Sequence, residues 1–516
     1  MNFRLIARHL GQFVIVLAAV MVICALLSLF WAYRGEADES WAFESLALCG
    51  LGGGLFGGIV LFTTRAVERR LGRRDAVFLV TMTWVVGALY AALPYWIWSS
   101  IGDPDVLEPS LRSFTSCFFE GMSGLTTTGA TIIDDIEAMP KGLLVWRAMT
   151  QWIGGLGIVV LFVAILPSLG VGGKRLFMAE STGPSPVGLR PHIRETARIL
   201  WFTYLVLTIG AFVAYAVLGM PIYEAGCQAL TTVSTAGFST RSGSFASFES
   251  SGIEWVAILF MFLSGISFAL YFRAIRRGWR ALLHDTELRV YIGLLVLAVA
   301  ISAAALMGRG TPIQLVDAEH FAPLEPTFWN SFRSAAFTVV SLQTTTGYCT
   351  ADFDYWPRIA ISVLLVLGFV GGCAGSTAGG VKVIRALISI RILRNTIERE
   401  HRPSVVRPLK IGRSLVESSV KIEVLSVLVA AFLSIFLGAG LLMMIEGASI
   451  DLKTALGASW AVALNIGPGF GQVGAIETYA AISPGGKWVL SGLMLMGRLE
   501  FFTVLVLLTK RFWSAD

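Results

Sequence analysis

Four short breaks in the apolar stretches of this 516-residue chain carry groups that could bind a cation. Each break is uncharged, offers backbone carbonyls and ends in a glycine. Uncharged backbone at membrane depth is tolerated where it is buried in protein or lines a wet cavity, and rings of carbonyl oxygens can replace the hydration shell of a monovalent cation. We therefore predict an ion pore. The expected cation-binding residues are Thr126, Thr127, Thr128 and Gly129; Ser234, Thr235, Ala236 and Gly237; Thr344, Thr345, Thr346 and Gly347; and Leu464, Asn465, Ile466 and Gly467.

The four glycines recur at intervals of roughly 110 residues, and self-similarity at a long fixed period indicates duplication into units that can close around one axis. Glycine is suited to this position, because successive carbonyls that point the same way need backbone angles that a Cβ disfavours. The residues after the glycines differ (Ala130, Phe238, Tyr348 and Pro468). The rings therefore cannot be fourfold-equivalent, and we expect weaker selectivity than a symmetric channel has.

The composition places the chain in a membrane. It is 55% hydrophobic and only 14% charged, with a mean hydropathy of +0.72, whereas about a quarter of the residues of soluble domains are charged. The net charge of +6 does not indicate a nucleic-acid partner, because the basic residues lie between apolar runs. The six cysteines lack metal-ligand spacing. The first apolar run, 11–31, is too long for a signal peptide and predicts a retained helix.

Apolar stretches of about 20 residues predict the membrane spans. These lie at 11–33, 43–64, 76–98, 143–166, 199–219, 253–272, 288–307, 359–381, 420–445 and 487–509. Shorter mixed segments precede the four breaks and predict half-helices that enter the membrane and return, at 111–125, 222–233, 327–343 and 452–464. The C-terminal end of a helix carries partial negative charge, so half-helices that end at the breaks favour cations.

The predicted fold is an all-α multi-span membrane protein. After an N-terminal transmembrane helix pair, four tandem repeats of span, half-helix, filter and span surround one pore; "filter" denotes each of the four-residue breaks. The expected domain ranges are 1–70 for the helix pair and 71–180, 190–282, 286–396 and 415–516 for pore repeats one to four.

Charged residues divide between the two sides of the membrane. Most of the 40 lysines and arginines lie in segments that share the cytoplasmic side if the N-terminus is cytoplasmic, which is the positive-inside pattern. These segments are 1–10, 65–75, 167–198, 273–289, 382–423 and 510–516. The opposite side carries acids that are expected to form a vestibule that concentrates cations above the filters. These acids are Glu36, Asp38, Glu39, Asp103, Asp105, Glu108, Asp134, Asp135, Glu137, Asp317, Glu319, Asp352 and Asp354.

Several runs resemble the Trk/Ktr/HKT superfamily, and within it the Trk-type potassium uptake subunits of bacteria. The runs are FEGMSGLTTTGAT (119–131), TQWIGGLGIVVLFVAILPSLGVGG (150–173), SLQTTTGYCTADFDYWP (341–357), GGCAGSTAGGVKVIRA (371–386), NIGPGFG (465–471) and GRLEFFTVLVLL (497–508). The resemblance covers essentially the whole chain.

The resemblance implies uptake of K⁺ across the bacterial inner membrane, with no organic cofactor on this chain. It further implies a homodimer with one pore per chain and a cytosolic nucleotide-binding regulatory ring that responds to NAD or ATP. In this family, members with a glycine in all four filters prefer potassium, whereas members with a serine in the first filter prefer sodium.

Two elements are expected below the filters. Six glycines lie in 368–380, and each costs about 1 kcal/mol in a helix interior, so we predict a break in the second helix of repeat three. The resemblance implies that this intramembrane loop is the gate. Arg498 lies near the middle of the last predicted span, at the depth of the loop, and a mid-membrane arginine needs a cavity or a partner. The expected gate residues are Gly371, Gly372, Gly375, Ser376, Thr377, Gly379, Gly380, Lys382 and Arg498. A passive kink and a structural arginine remain the alternatives.

Other functions have less support in the residues. A membrane enzyme would need a nucleophile with a base, or paired acids, and no HExxH, GxSxG or Ser/Lys pair occurs. The nearest rival is the potassium-translocating subunit of an ATP-driven pump, which shares the four-repeat architecture. A secondary transporter would have broken helices around a midplane site. Channel-like flux and symport with protons or sodium both stay open, as do partner docking and lipid contact for the basic segment 382–423.

Overall fold

Helices form most of the described part of the chain, because a helix satisfies its own backbone hydrogen bonds, as a membrane interior requires. The computed structural model describes residues 1–36, 38–65, 71–102, 108–155, 157, 193–316, 322–402, 408–412 and 414–514. Six helices in these ranges are long and apolar enough to cross a membrane, and one bent pair could supply a seventh span.

The helices follow the predicted plan of an N-terminal pair and four repeats. The pair and the first repeat comprise α1 (Phe3–Tyr33), α2 (Glu39–Thr63), α3 (Arg73–Ile101), α4 (Phe114–Leu125) and α5 (Lys141–Gly155). The second repeat comprises α6 (Ile193–Val217), α7 (Ile222–Val233), α8 (Ser251–Ser264), α9 (Phe268–Arg277) and the short α10 (Arg280–Leu283). The third comprises α11 (Thr286–Arg309), α12 (Phe328–Gln343), α13 (Arg358–Val370) and α14 (Val383–His401). A small antiparallel hairpin, β1 (Lys410–Ile411) and β2 (Ser414–Leu415), precedes the fourth, which comprises α15 (Ser418–Glu446), α16 (Leu452–Ala463), α17 (Pro484–Arg498), α18 (Phe502–Leu507) and α19 (Lys510–Trp513).

The N-terminal pair packs closely through small residues. A Cβ on Gly57 of α2 would lie 2.8 Å from the carbonyl oxygen of Gly11 on α1. The Tyr90 hydroxyl of α3 donates to the carbonyl of Cys49 (2.7 Å) and joins the pair to the first repeat. Large apolar side chains on the other face of α2, such as Leu51, are exposed. This pattern suits a helix pair at the lipid-facing periphery of the fold.

The four predicted half-helices are confirmed as α4, α7, α12 and α16. Capping residues fix the starts of two of them, α12 and α16, because a side-chain oxygen accepts from a free N–H of the first turn. The Thr327 side chain accepts from Asn330 N at the start of α12, and the Asp451 side chain accepts from Thr454 N at the start of α16. All four half-helices are mostly buried towards their C-terminal ends, where the filters begin.

The second helices of the repeats, α5, α8, α13 and α17, contain only 13 to 15 residues each. The helices of the spans predicted at 253–272 and 487–509 are each interrupted. Helices α8 and α9 meet at an angle of 83°, and α17 ends at Arg498, beyond which Glu500 and Phe501 have left-handed φ values of +55° and +62°. The break predicted in repeat three is present between α13 and α14. Three of the second helices therefore break below the filters, where the sequence pattern indicated one break.

Three of the predicted basic segments meet at one end of the fold. The N–H of Asn2 donates to the Asp75 carboxylate (3.0 Å), and the Arg8 guanidinium donates to the carbonyl of Thr64 (2.8 Å). Arg74 donates to the carbonyl of Ser514 near the C-terminus (2.5 Å). Segments 1–10, 65–75 and 510–516 consequently lie on the same side, as the charge pattern requires.

Several predictions concern residues outside the described ranges. They are the second half of the span 143–166, most of the basic segment 167–198, the end of repeat one, residues 403–407 of the segment 382–423, and the acids Asp103, Asp105, Asp317 and Glu319.

Candidate ion-conducting site

The four filters share one backbone conformation. The second residue of each has a left-handed φ, at Thr127 (+55°), Thr235 (+50°), Thr345 (+55°) and Asn465 (+55°). The closing glycines have φ values of +80°, +82°, +84° and +100°. Left-handed backbone is costly for a residue with a Cβ, and strain of about 1–3 kcal/mol per residue persists only where the surroundings enforce it, often at functional sites.

The same hydrogen bonds end all four half-helices. In the first repeat Thr127 N donates to the carbonyl of Gly124 (3.1 Å) and Thr128 N donates to that of Ser123 (2.9 Å). The other three repeats form the equivalent bonds, at 3.0–3.2 Å and 2.8–3.1 Å. These bonds satisfy helix-terminal carbonyls and turn the chain at the same point in each repeat, so four different sequences give one filter geometry.

The four filters form a closed ring in which each glycine lies against the next filter. A Cβ on Gly129 would lie 2.3 Å from the carbonyl oxygen of Ala236, and one on Gly237 would lie 2.0 Å from that of Thr346. The same holds for Gly347 and the carbonyl of Ile466 (2.1 Å). The circle closes at Gly467, whose Cβ would lie 2.7 Å from the carbonyl oxygen of Thr128. Each contact is too close for any other residue, so glycine is required both by its φ and by its neighbour.

The first hydroxyl of three filters turns back to its own half-helix. Thr126, Ser234 and Thr344 donate to the carbonyl four residues earlier, at 2.7, 2.8 and 2.7 Å. In the fourth filter the corresponding residue is Leu464, which has no hydroxyl. The groups that all four filters have in common are therefore backbone carbonyls, as a carbonyl-lined cation site requires.

The intramembrane loop, residues 371–382, contacts the filters directly. The N–H of Gly379 donates to the Thr345 hydroxyl (2.5 Å) in the third filter, and the N–H of Gly380 donates to the carbonyl of Leu464 (3.0 Å) in the fourth. The Thr377 hydroxyl donates to the carbonyl of Val233 (3.1 Å), the last residue of α7. The loop thus lies immediately next to the helical ends of three filters.

Glycine conformations shape the loop. Gly371, Gly375 and Gly380 have φ values of +74°, +75° and +71°, and a Cβ on Gly379 would lie 2.3 Å from the carbonyl oxygen of Leu464. A Cβ on Gly372 would lie 2.6 Å from the Cβ of Ala378. The remaining predicted polar groups are bonded within the loop. The Ser376 hydroxyl donates to the carbonyl of Cys373 (2.7 Å), and Lys382, which is buried, donates to the carbonyl of Ala378.

Arg498 joins the loop to the first repeat. Its guanidinium donates to the carbonyls of Gly154 (2.6 Å) and Gly155 (2.9 Å) at the C-terminal end of α5, where the helix dipole favours a cation. It also reaches the carbonyl of Thr377 in the loop (3.4 Å). The structure therefore brings together the two elements that the sequence pattern placed at one depth.

A second charged contact lies beside this arginine. Arg385, in the first turn of α14, pairs with Glu500 in the break after α17 (2.5 Å). Glu500 was not among the predicted gate residues. Its role as a partner for Arg385 depends on the helix break, which the sequence pattern did not reveal. The pair links the helix that follows the loop to the last helix of repeat four.

Three buried polar residues behind the filters were not among the predicted site residues. Arg147 pairs with Glu120 (2.7 Å), with exposed side-chain fractions of 2% and 0%. Gln151, one helical turn after Arg147 on α5, is fully buried. Ionisable residues within apolar segments are expensive and tend to be functional, so the positions of Glu120 in a half-helix and Arg147 in a span were signals available in the sequence.

The acids expected at the vestibule are in varied surroundings. Glu36 pairs with Lys141 at the surface, and Asp354 pairs with Lys453 (2.8 Å). Glu39 is instead buried, where it accepts hydrogen bonds from Ser28 and Gly142. Asp352 is also buried, in the loop after the third filter. Burial, together with the neighbouring carboxylates of Asp354 and Glu477, raises the pKa of Asp352 to about 6.

Comparison with known proteins identifies the family. The family model "TrkH: Cation transport protein" matches residues 54–515. The chain is 34% identical to the "Trk system potassium uptake protein TrkH" of Salmonella typhimurium and 36% identical to that of Halomonas elongata, over 99% of this chain and 100% of each relative. The crystal structure of the potassium transporter TrkH from Vibrio parahaemolyticus superposes with a TM-score of 0.81 at 32% identity, and covers 100% of both chains.

These matches extend over 99–100% of the chain and therefore include all four glycine filters. The relatives are transport proteins and not enzymes, in agreement with the lack of a catalytic motif in the sequence. The chain belongs to the TrkH family of cation transport proteins.

Proposed function

We propose that this chain takes up K⁺ through a pore whose selectivity filter is the ring of four glycine segments. The observation that carries the proposal is the closed circle of contacts in which each filter glycine lies against the carbonyl of the next filter. Rings of backbone carbonyls suit a dehydrated monovalent cation, and the half-helix dipoles favour positive charge at the same place. The relatives named above, described as potassium uptake proteins, support K⁺ as the ion. They also favour the Trk type over the subunit of an ATP-driven pump.

We further propose that the loop 371–382 and Arg498 gate this pore. The hydrogen bonds from the loop to Thr345 and Leu464 support a position directly beneath the filter. A guanidinium at this depth would repel a passing cation, and its bonds to Gly154 and Thr377 hold both elements in one place. The same proposed gate includes the residues Gly371, Gly372, Gly375, Ser376, Gly379, Gly380 and Lys382.

The proposed setting is the bacterial inner membrane, with the N-terminus in the cytoplasm and the filters towards the outer side. The clustering of segments 1–10, 65–75 and 510–516 at one end supports this orientation. A homodimer and a cytosolic nucleotide-binding ring are proposed from the family resemblance, since the relatives are described as parts of a Trk system. The repeat boundaries 71–180, 190–282, 286–396 and 415–516 remain proposals.

Cation flux through the purified chain in liposomes tests the proposal. Gradients of K⁺, Rb⁺, Na⁺ and Li⁺ are compared for the wild type and for Gly129→Ser, whose Cβ would meet the carbonyl of Ala236 at 2.3 Å. We expect K⁺ and Rb⁺ flux well above Na⁺ and Li⁺ flux, and a loss of that preference in the variant. Equal flux of all four ions in the wild type, or an unchanged preference in a folded G129S protein, would contradict the filter assignment.

A further inference from the structure

Gln151 bonds to the peptide groups on both sides of Gly237. Its side-chain nitrogen donates to the carbonyl of Ala236 (2.7 Å), and its side-chain oxygen accepts from the N–H of Phe238 (3.1 Å). The amide therefore spans the filter glycine of repeat two and bonds its backbone as a neighbouring strand would. Gln151 itself belongs to repeat one, so this contact joins two repeats.

The carbonyl that Gln151 holds lies where the first and second filters meet. The oxygen of Ala236 is the atom that a Cβ on Gly129 would approach to 2.3 Å. Any movement of this oxygen changes both the second filter and its spacing from the first. Gln151 is 0% exposed, so no water competes for its two hydrogen bonds.

Arg147 holds the same filter one helical turn away. Residues four apart on a helix lie on the same face, and the Arg147 guanidinium donates to the carbonyl of Ser239 (2.9 Å) and stacks 3.5 Å from the centre of the Phe238 ring. Its charge is balanced by Glu120, whose carboxylate accepts from the N–H of Ile132 (3.0 Å) beyond the first filter. Helix α5 is thereby tied to the chain that leaves both filters.

The other filters are supported differently. In the third, the Ser341 hydroxyl donates to the carbonyl of Tyr348 (2.7 Å), and in the fourth the Tyr479 hydroxyl donates to the carbonyl of Gly467 (2.9 Å). The fourth filter also needs no acceptor after its glycine, because Pro468 has no N–H. Within the described part of the chain, a single side chain bonds both flanks of a filter glycine only in repeat two.

We infer that Gln151 is a specificity-determining positioning residue, which fixes the carbonyl of Ala236 and thereby the K⁺ preference of the pore. Selectivity depends on where the filter carbonyls are held and on how freely they move, and Gln151 controls this for one quarter of the ring. The residue acts through the backbone and does not itself bind the ion. The inference rests on the proposed function of the filter.

The test compares K⁺ and Na⁺ flux of the full chain in liposomes for Gln151→Met and Gln151→Glu. Methionine keeps the length of the side chain and loses both hydrogen bonds. Ionised glutamate can still accept from Phe238 N but has no proton to donate to the carbonyl of Ala236. Thr83→Val is the control, because Thr83 is buried and its hydroxyl bonds only within α3. Gly347→Ala, whose Cβ would lie 2.1 Å from the carbonyl of Ile466, reports on the filter independently of Gln151.

We expect Q151M to lower the K⁺/Na⁺ flux ratio by about tenfold, the effect of losing one to two buried hydrogen bonds, while total cation flux persists and T83V keeps the wild-type ratio. Q151E should also lower the ratio, and it decides the outcome if Q151M does not fold. An equal loss of K⁺ and Na⁺ flux at a constant ratio would show a merely structural role and overturn the inference. If G347A changes the ratio and the Gln151 variants do not, the inference fails and the filter stands. If none of the three changes it, the proposed filter itself fails.

Discussion

Replacing Arg498 by a neutral residue should raise cation flux through the isolated chain. The guanidinium carries a full positive charge beneath the filter ring and is held there by the carbonyls of Gly154, Gly155 and Thr377. In the proposed gate it would repel a passing cation, and its hydrogen bonds tether the loop to α5. The two effects can be separated, because the charge and the hydrogen bonds can be removed one at a time.

The electrostatic part follows from Coulomb's law. At an effective dielectric constant of ~20, a unit charge ~8 Å from a passing cation opposes it by about 2 kcal/mol, which corresponds to a roughly thirtyfold change in rate. The tether adds to this, since a hydrogen bond to a charged group contributes about 1.5–3 kcal/mol. Loss of the tether should also free the loop at Thr377.

Three variants distinguish these contributions in a liposome K⁺ flux assay. Arg498→Lys keeps the charge with fewer donors, Arg498→Gln keeps donors without the charge, and Arg498→Ala removes both. If the charge dominates, R498Q and R498A should conduct at least about tenfold faster than the wild type, whereas R498K should not. Arg394→Ala on the exposed face of α14 is the control and should leave flux unchanged. Wild-type flux in a well-folded R498A protein would refute the reasoning and leave Arg498 a structural residue.

Three further predictions concern the loop, the outer side and the buried ion pair. Thr345→Val leaves the N–H of Gly379 without its acceptor, at a cost of about 1–3 kcal/mol, so the K⁺ flux of the isolated chain should rise. Thr345→Ser should behave as the wild type. Equal flux in both variants would exclude a coupling of the loop to the filter. The pKa of Asp352 is raised from 3.8 to about 6 by burial, so the folded protein binds this proton more tightly than the unfolded chain. Lowering the pH from about 6 towards 4 should therefore stabilise the fold by up to about 3 kcal/mol through this group. The thermal midpoint of Asp352→Asn should lack this pH-dependent increase. Parallel pH profiles of the midpoint in both proteins would contradict a raised pKa at Asp352. Glu120→Gln leaves Arg147 buried without a counter-charge and should destabilise the protein by about 3–5 kcal/mol. Glu36→Gln, in a partly exposed pair, should destabilise it by no more than about 1 kcal/mol. Similar unfolding midpoints for the two variants would count against a stabilising role of the buried pair.

The half-helices show how much of the structure the local sequence pattern predicts. Their predicted and observed bounds agree within about three residues, as for 222–233 and α7, because each half-helix ends at a left-handed turn. Pro221 precedes α7, and the capping residues Thr327 and Asp451 precede α12 and α16. These signals are local, and so is one of the two reasons for the filter glycines, their left-handed φ. The loop 371–382 was likewise predictable, since six glycines in thirteen residues leave a helix without its usual stability.

The breaks in the second and fourth repeats were missed for a physical reason. The residues around Gly265 and Phe501 include no proline and no cluster of glycines like that of the third repeat, so the sequence carries no strong helix-breaking signal there. Contacts with distant residues stabilise the breaks instead. The N–H of Cys373 donates to the carbonyl of Gly265 (2.9 Å), the N–H of Phe268 donates to the carbonyl of Gly375 (3.0 Å), and Arg385 pairs with Glu500.

The sequence by itself determined the membrane class, the four repeats, the half-helices and the residues of the filters, because periodicity, apolar length and helix-stop signals act within a few residues of one another. Only the tertiary structure decided the order of the filters around the ring, the contact between Arg498 and Thr377, and the attachment of Gln151 to both sides of Gly237. These features join residues from different repeats. Their geometry depends on how buried backbone groups find partners after the repeats have packed, and no local pattern encodes that choice.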